Sequence, residues 1–520
     1  MENKNSDSVL KNVTWVTVIM LLSKVLGFLR QAMIAFSFGS DYQTDIYFTS
    51  SDFMLGLSFA FTEALTMGLV TVYIQTRTQS GVKAANTVAR KVMTMYLFFS
   101  VVLVGMLVLC APLLAKILCP GYTGAQSALL IRYLRLFSLT ILFAAFQSNL
   151  AAVLNANDSY IPGKLYGVIV NPVIILFMML LGAKIGLYAL VIGFVLANLI
   201  QIGLLAACCR KIFRFRPASP FHDAKVKNIL KLSVPLLLSN LLVQCNHIID
   251  KIICSLLGEG TVSSYAYANT LEQFVTASFT VSVGLILFSK FSEYVAQNNQ
   301  KEMTKTLTRS VTMVLWILIP VSLVAVFSAG DIVKIIYQRG SFTAADTQRT
   351  AVALIGLCAG IPASAVRELY LRAHYSHQNT KTPLILSLFG VVLNAVLSVA
   401  LSFVIGILGI ALSTSVSVVF TVVLLNRSIR HYLPEYRFFA VRGEYIRFFL
   451  AALAACVPLT LLTVLPLPGG LWMFLGKCIL GFSTYEGALL LTASKSNRAG
   501  IRMLKKFVRS KLHGKERQQL

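Results

Sequence analysis

Lys24 and Arg30 stand inside one apolar run, Val13 to Phe38, in the stretch SKVLGFLRQ (Ser23–Gln31). Lys24 falls near the middle of the run and Arg30 about two-thirds of the way along. A cation in hydrocarbon costs at least ~2.5–3.5 kcal/mol, so such residues mark paths for ions or substrates. Arg grips a phosphate through its planar fork and Lys adds a point charge, so the pair suits an anionic headgroup drawn into the membrane. The two are six positions apart, roughly 120° around a helix, and Gly27 between them permits a bend.

More polar groups interrupt later apolar runs. The second holds Asp45, Asp52 and Glu63, and the seventh holds Gln244, Asn246, His247, Asp250 and Lys251. The eighth holds Asn269, Thr270, Glu272 and Gln273, the tenth Arg367, Glu368 and Arg372, the eleventh Asn394 and Ser398. Asp45 reads either as a cap or flank at the outer interface or as part of the path, and Glu63 either as a structural partner for a cation or as a path residue. The acids can hold the cations in place or take up protons or ions during a cycle. Asp250 and Asn394 offer oxygens to a small cation, or equally an interhelical hydrogen bond. Glu368 and Arg372, four apart, can pair locally, and Arg372, beside HYSHQNTK, suits an interfacial anchor. His247 and His374 have no second ligand at metal spacing. Catalytic motifs are missing: no Walker loop, HExxH or GxSxG occurs. Without an ATP site, transport draws on a monovalent cation gradient or the membrane potential.

The elements that carry these residues follow from composition. The chain of 520 residues is 57% hydrophobic and 13% charged, with mean hydropathy +0.75. Soluble domains carry nearer ~25% charge. Apolar runs long enough to span a bilayer, about 20 residues, recur throughout. The expected fold is an all-α polytopic membrane protein with fourteen spans, near 13–38, 46–76, 90–118, 129–154, 161–182, 186–209, 228–257, 264–290, 308–329, 349–373, 383–405, 408–426, 445–466 and 470–492. The polar start, MENKNSDSVLKN, with no small-residue cleavage site after the first run, suits an uncleaved signal anchor. The nine cysteines lie in or beside apolar runs without a CxxC, as expected of small buried side chains.

Charge sets the orientation. Arg77, Lys83, Arg90 and Lys91 follow the second span, and Arg210, Lys211, Arg214, Arg216, Lys225, Lys227 and Lys231 follow the sixth. Lys290, Lys301, Lys305 and Arg309 follow the eighth, and nine basic residues fill the tail from Lys495. The alternate loops GSDYQ, CPGYTGAQS, GEGTVSS and LPLPGG hold no cation, although the segment 328–350 is mixed. The positive-inside rule then places both termini in the cytoplasm. The net charge of +26 is explained by topology signals and attraction to anionic lipid, so nucleic acid is not the expected partner.

An internal repeat sets the architecture. YGVIVNPVI (Tyr166–Ile174) matches FGVVLNAVL (Phe389–Leu397) at an offset of 223, and Gly186-Leu187 pairs with Gly409-Ile410 at the same offset. AKIL (Ala115–Leu118) matches VKII (Val333–Ile336) at 218. Six spans separate the halves, an even number, so they share one orientation, as in transporters built from parallel repeats. The expected organisation is a tail 1–12, a six-helix lobe 13–209, a basic linker 210–227, a second six-helix lobe 228–426, a cytoplasmic loop 427–444, a helix pair 445–492 and a basic tail 493–520. The substrate path in such folds lies between the halves.

SKVLGFLRQAMIAFSFGSDYQTDIYF (Ser23–Phe48) resembles the first-span signature of the MurJ/MviN lipid II flippases. YANTLEQF (Tyr267–Phe274), YQRGSFTAADTQ (Tyr337–Gln348) and YSHQNTKTP (Tyr375–Pro383) resemble further segments of that family. The resemblance implies the MOP-superfamily fold, two six-helix lobes around a cavity with a final helix pair that grooves a lipid tail. It implies flipping of undecaprenyl-pyrophosphate-linked peptidoglycan precursor from the inner to the outer leaflet. By position, Arg30 matches a cavity arginine, Lys24 replaces a second, Asp45 matches the Asp of Thr-Asp, and Glu63 matches a second-span Glu. Substrate contacts are expected at Arg30, Lys24, Asp45, Glu63, Glu272 and Arg367, and a cation site at Asp250, Asn394 and Ser398. The chain departs from the family where Ser58 and Phe59 stand in place of second-span arginines, where Asn269-Thr270 replaces Asp-Arg, and where Gln31 replaces Asp. Arg367, Lys251 and Lys164 are the cations available to compensate.

The leading reading is a monomeric lipid II flippase in the bacterial plasma membrane, a transporter and not an enzyme. The alternative is a flippase for another polyprenyl-linked saccharide, such as a capsule or exopolysaccharide unit. A cation antiporter of the same superfold predicts a cavity dominated by carboxylates, which the first-span cations oppose. A membrane-embedded enzyme would need an acid in an outer loop, where Asp331, Asp346 and Glu259 are the candidates. A scaffold is the reading that the missing arginines would favour.

Overall fold

The computed structural model describes residues 2–220, 223–465, 470–492 and 494. The basic tail 493–520, Ser494 apart, lies outside the described residues, as do the side chains of the tail 1–12. The described chain is helical, joined by turns and by an extended stretch after α6. Helix is what hydrocarbon demands, since every peptide group there must be bonded within its own segment.

The helices are α1 (Glu2–Phe38), α2 (Tyr42–Leu118), α3 (Gly124–Asn155), α4 (Ile161–Lys164), α5 (Tyr166–Ile185), α6 (Tyr188–Cys209), α7 (Ala224–Leu256) and α8 (Thr261–Ala296). Then come α9 (Gln300–Phe327), α10 (Ala329–Tyr337), α11 (Ala344–Cys358), α12 (Ile361–Ser376), α13 (Lys381–Ile405), α14 (Ile407–Ile429), α15 (Arg442–Val464) and α16 (Leu471–Leu491). Among the described residues, ten helices are long and apolar enough to cross a membrane, or eleven with the bent pair α11–α12 as one span. The ten count α2 once. Its 77 residues would reach about 115 Å, far beyond a ~30 Å hydrocarbon layer. Gly81 breaks it (φ 82°, ψ 170°), among the cations Arg77, Lys83, Arg90 and Lys91, so α2 carries the second and third expected spans. The polar-speckled α7 and α8 are not among the ten.

Three expected elements differ. The span 161–182 is broken at Leu165 into α4 and α5, with Pro162 at the start of α4. The tenth span is bent by 43° where Gly360 and Pro362 end α11 and begin α12. The segment after α9 contains a further helix, α10, in which Ala329, Val333 and Tyr337 bury one face at a spacing of four. The cysteines also divide: Cys119, Cys209, Cys254 and Cys358 are buried, whereas Cys110, Cys208 and Cys245 are exposed.

The chain forms two compact units, Met1–Tyr267 with Arg339–Asp346, and Ala268–Gln338 with Thr347–Leu520. In the first, α2 packs on α3 and α7, α1 on α5, and α6 on α3 and α5. The α1–α5 contact depends on small residues: a Cβ at Gly167 would fall 1.6 Å from Ser23 Oγ. Asn171 Nδ2 donates there to Gly167 O at 2.7 Å and to Ser23 O at 3.3 Å. The segment 339–346 sits on the α1–α2 turn, where Ser341 N donates to Phe36 O at 2.9 Å. Gly39 and Gly340 both have positive φ, and a Cβ on either would meet backbone at 2.5 Å or less.

In the second unit α12 packs on α9 and α14, α13 on α14, and α15 and α16 on each other and on α9. Trp316, Phe448, Ala451, Ala455, Tyr485 and Leu489 form the core of that last contact. Lys477 Nζ of α16 donates to Asp331 Oδ2 of α10 at 2.7 Å and to Phe327 O at 3.0 Å, and Gly470 N donates to Asp331 Oδ1 at 3.2 Å. Glu444 takes Arg447 and the Ser494 hydroxyl.

The repeat is visible in the turns. The positive-φ residues recur in order as Gly39 and Gly260, Gly81 and Asn298, Gly124 and Gly340, Asp158 and Gln378, Gly186 and Gly406. The Asp158 turn closes with Ser159 N on Leu154 O, and the Gln378 turn with Asn379 N on His374 O. Gly186 ends α5 at φ 59°, ψ −142°, and Gly406 ends α13 at φ 60°, ψ −137°. The partner of Gly186 is therefore Gly406 and not Gly409, a three-residue change from the register that the sequence match gives.

Candidate functional site

Arg30 lies in α1, half-buried. Its buried Nε has no hydrogen-bond partner among the described residues, and none of their ion pairs includes it. The phenols of Tyr47 and Tyr166 lie within its electrostatic reach. Lys24 is exposed on the same helix. Two acids of α2, Asp52 and Glu63, are exposed on one face, eleven residues apart. Each faces a lysine from another helix. Asp52 pairs with Lys251 of α7, which also donates to Phe48 O at 3.1 Å. Glu63 lies within electrostatic reach of Lys164 of α4. In the first unit, therefore, the acids have lysine neighbours, and Arg30 keeps a guanidinium that no described carboxylate neutralises.

Asp45 is fully buried and its oxygens are taken. Oδ1 accepts the Ser263 amide at 2.7 Å and the Ser263 hydroxyl at 2.6 Å. Oδ2 accepts the Gly260 amide at 2.7 Å and the Tyr122 hydroxyl at 2.9 Å. The carboxylate thus caps the start of α8 from the first turn of α2, satisfying amides that have no partner within their own helix. Ser40 Oγ joins the same turn, donating to Gly260 O at 2.7 Å. Asp250 is buried in α7 and accepts the Tyr265 hydroxyl at 3.0 Å.

The second unit holds the other expected residues. Glu272 of α8 accepts the Thr276 hydroxyl at 2.5 Å and lies within electrostatic reach of Arg367 of α12. Arg367 Nε is buried with no hydrogen-bond partner among the described residues. Glu368 pairs with Arg372 at 2.6 Å, four residues on. Asn394 and Ser398 are buried in a neutral network: Ser398 Oγ donates to Asn394 Oδ1 at 2.8 Å, and Asn394 Nδ2 donates to Thr414 Oγ1 at 3.1 Å. These two side chains contribute no carboxylate to a cation.

Sequence reasoning missed the pairings. Asp52 and Lys251, and Asp45 and Ser263, are some 200 residues apart, and no local spacing links them. The cap of α8 had one signal, a buried Asp facing a Gly-Glu-Gly-Thr turn, but that turn alone does not say which acid serves it.

A family model described as "Lipid II flippase MurJ" matches residues 34–477. The chain belongs to the MurJ family. A probable lipid II flippase MurJ of Rickettsia prowazekii is 25% identical over 405 residues, 76% of this chain and 79% of that protein. One from Buchnera aphidicola subsp. Acyrthosiphon pisum is 24% identical over 514 residues, 97% of this chain and 100% of that protein. Among solved structures, "Lipid II flippase MurJ, inward closed conformation" superposes with a TM-score of 0.80 at 23% identity, covering 94% of this chain and 99% of that one. An inward-facing multidrug resistance MATE transporter of the MOP superfamily gives 0.69 at 13% identity, over 79% and 95%. These likenesses give the fold: a MurJ-type, multi-pass helical membrane protein.

Proposed function

We propose that this chain translocates lipid II, the polyprenyl-pyrophosphate-linked peptidoglycan precursor, from the inner to the outer leaflet of the bacterial plasma membrane by alternating access. It is a transporter, not an enzyme. The observation that carries the reading is Arg30, a guanidinium inside a membrane helix with no acid of its own unit paired to it. A cation left unpaired at that cost is explained by a ligand that brings the negative charge, and a pyrophosphate matches its fork.

In this reading Arg30, helped by Lys24, takes the pyrophosphate from the cytoplasmic side. Arg367 is the second guanidinium on the path, with Glu63 and Glu272 setting the positions of neighbouring cations. Asp45 is a positioning residue, since its oxygens are already bonded. The chain crosses the membrane fourteen times with both termini in the cytoplasm, as lobes 13–209 and 228–426 followed by the pair 445–492. It works as a monomer with anionic lipid at its basic loops. A monovalent cation gradient or the membrane potential drives the cycle, and the oxygens of Asp250, Asn394 and Ser398 are the candidate ligands for the ion. The relatives bear the lipid II name, so the alternative saccharide reading is set aside.

The test is Arg30→Ala beside Arg30→Lys in cells depleted of their resident flippase. The Ala variant, present at wild-type level, should lose lipid II exposure, and the Lys variant should keep only part of it, because the fork is gone. Wild-type exposure by Arg30→Ala would remove the assignment.

A further inference from the structure

The segment RKIFRFRPAS (Arg210–Ser219) leaves α6 through a turn at Arg210–Ile212 and continues from Phe213 as an extended strap in the first unit. Its residues alternate. Phe213 is buried and Phe215 packs against the same core as Val92, Leu150 and Leu205, with the Phe215 ring 6.4 Å from that of Phe146. Arg214 and Arg216 point the other way and are exposed, as are Arg210 and Lys211. A period of two is what an extended chain gives when one side is buried.

The strap is held by its backbone. Asn86 Nδ2 donates to Ile212 O at 2.8 Å, Arg90 Nε to Arg214 O at 3.0 Å, and Ala218 N to Thr94 Oγ1 at 3.1 Å. Asn86, Arg90 and Thr94 are spaced four apart, one stripe of α2. Lys91 from the next position pairs with Asp223 at 2.8 Å, and Asp223 is the one acid between residues 210 and 227. The strap's four cations thus have no acid in their own segment left to pair with, and the ladder spends none of their side-chain donors.

We propose that the strap is a preorganised docking surface for the phosphate headgroups of anionic phospholipid in the cytoplasmic leaflet. Three of the four cations are Arg, whose fork matches phosphate oxygens. The apolar residues face inward, so the strap offers a partner charge and no hydrophobic anchor. That favours a headgroup layer over a protein. The fixed backbone lowers the ordering cost of binding. The inference rests on the cytoplasmic placement of this linker given above.

The full chain in neutral detergent is titrated with phosphatidylglycerol or phosphatidylcholine, and retained lipids are counted by native mass spectrometry. Lipid II is absent, so failure here and failure of the transport reading are separable. Phosphatidylglycerol should be retained in preference. Arg214→Gln with Arg216→Gln should weaken retention roughly tenfold, and Lys116→Gln with Lys184→Gln, two exposed cations outside the basic loops, should leave it unchanged. Asn86→Ala with Thr94→Val, which keeps every strap cation but loosens the ladder, should also weaken it. Wild-type retention by the strap variant, equal loss in the Lys116/Lys184 control, unchanged retention with the loosened ladder, or displacement by millimolar inorganic phosphate would each overturn the proposal.

Discussion

Asp45 and Ser263 are joined twice, the Ser263 amide and hydroxyl both donating to Oδ1 at 2.7 and 2.6 Å. An acid in the first turn of one helix therefore closes the amino end of another, 218 residues on. Hydrogen bonds to a charged acceptor contribute ~1.5–3 kcal/mol each, and removing the acceptor strands its donors. Asp45→Ala should lower stability by about 3 kcal/mol or more, read as a drop in unfolding midpoint in detergent. Asp45→Asn, which keeps one acceptor oxygen, should lose about half as much. Equal midpoints for Asp45→Ala and wild type would deny the cap.

The Lys477–Asp331 pair is a second buried link, between α16 and α10. Removing one member of such a pair strands the other, at ~3–5 kcal/mol. Lys477→Met should be strongly destabilising, and Lys477→Met with Asp331→Asn should recover part of the loss. A double variant worse than the single would mean that the two residues act separately.

Asp223 gives a pH prediction outside the membrane segments. The Lys91 ammonium, hydrogen-bonded at 2.8 Å, holds its carboxyl below the usual carboxylate range against a smaller opposing effect of burial, and the Lys225 amide adds to the lowering. A depressed folded-state value contributes stability above the unfolded value, ~3.9, and that stability is lost as pH falls through the folded value. Hydrogen-exchange protection of the strap should be flat from pH 8 to 5, once intrinsic exchange is corrected, and fall below about pH 4. Asp223→Asn should cost up to ~1 kcal/mol and abolish that fall, and Asp223→Ala should cost about 1 kcal/mol more through the lost helix cap. An unchanged acid response in Asp223→Asn would place its origin elsewhere.

The sequence was most informative where the bilayer dictates the answer. Apolar runs had to be helices, and the cations around Gly81 marked the turn that divides α2. Arg30 stood out because its cost has to be offset. The partners were not legible. Asp45, Asp52 and Asp331 find theirs through packing of distant helices, and nothing local to those acids names Ser263, Lys251 or Lys477. The repeat was legible through YGVIVNPVI, but its register at Gly186 was not, because apolar residues match equally well three positions apart while only a positive-φ glycine closes the helix.

The most direct test of the central claim is lipid II exposure. A bacterial host is depleted of its resident flippase, this chain is expressed, and an enzyme that cleaves lipid II is added outside the cell. The account predicts that cleavage is restored, and that it is lost again with Arg30→Ala. No cleavage, with the wild-type protein present in the membrane, would contradict it.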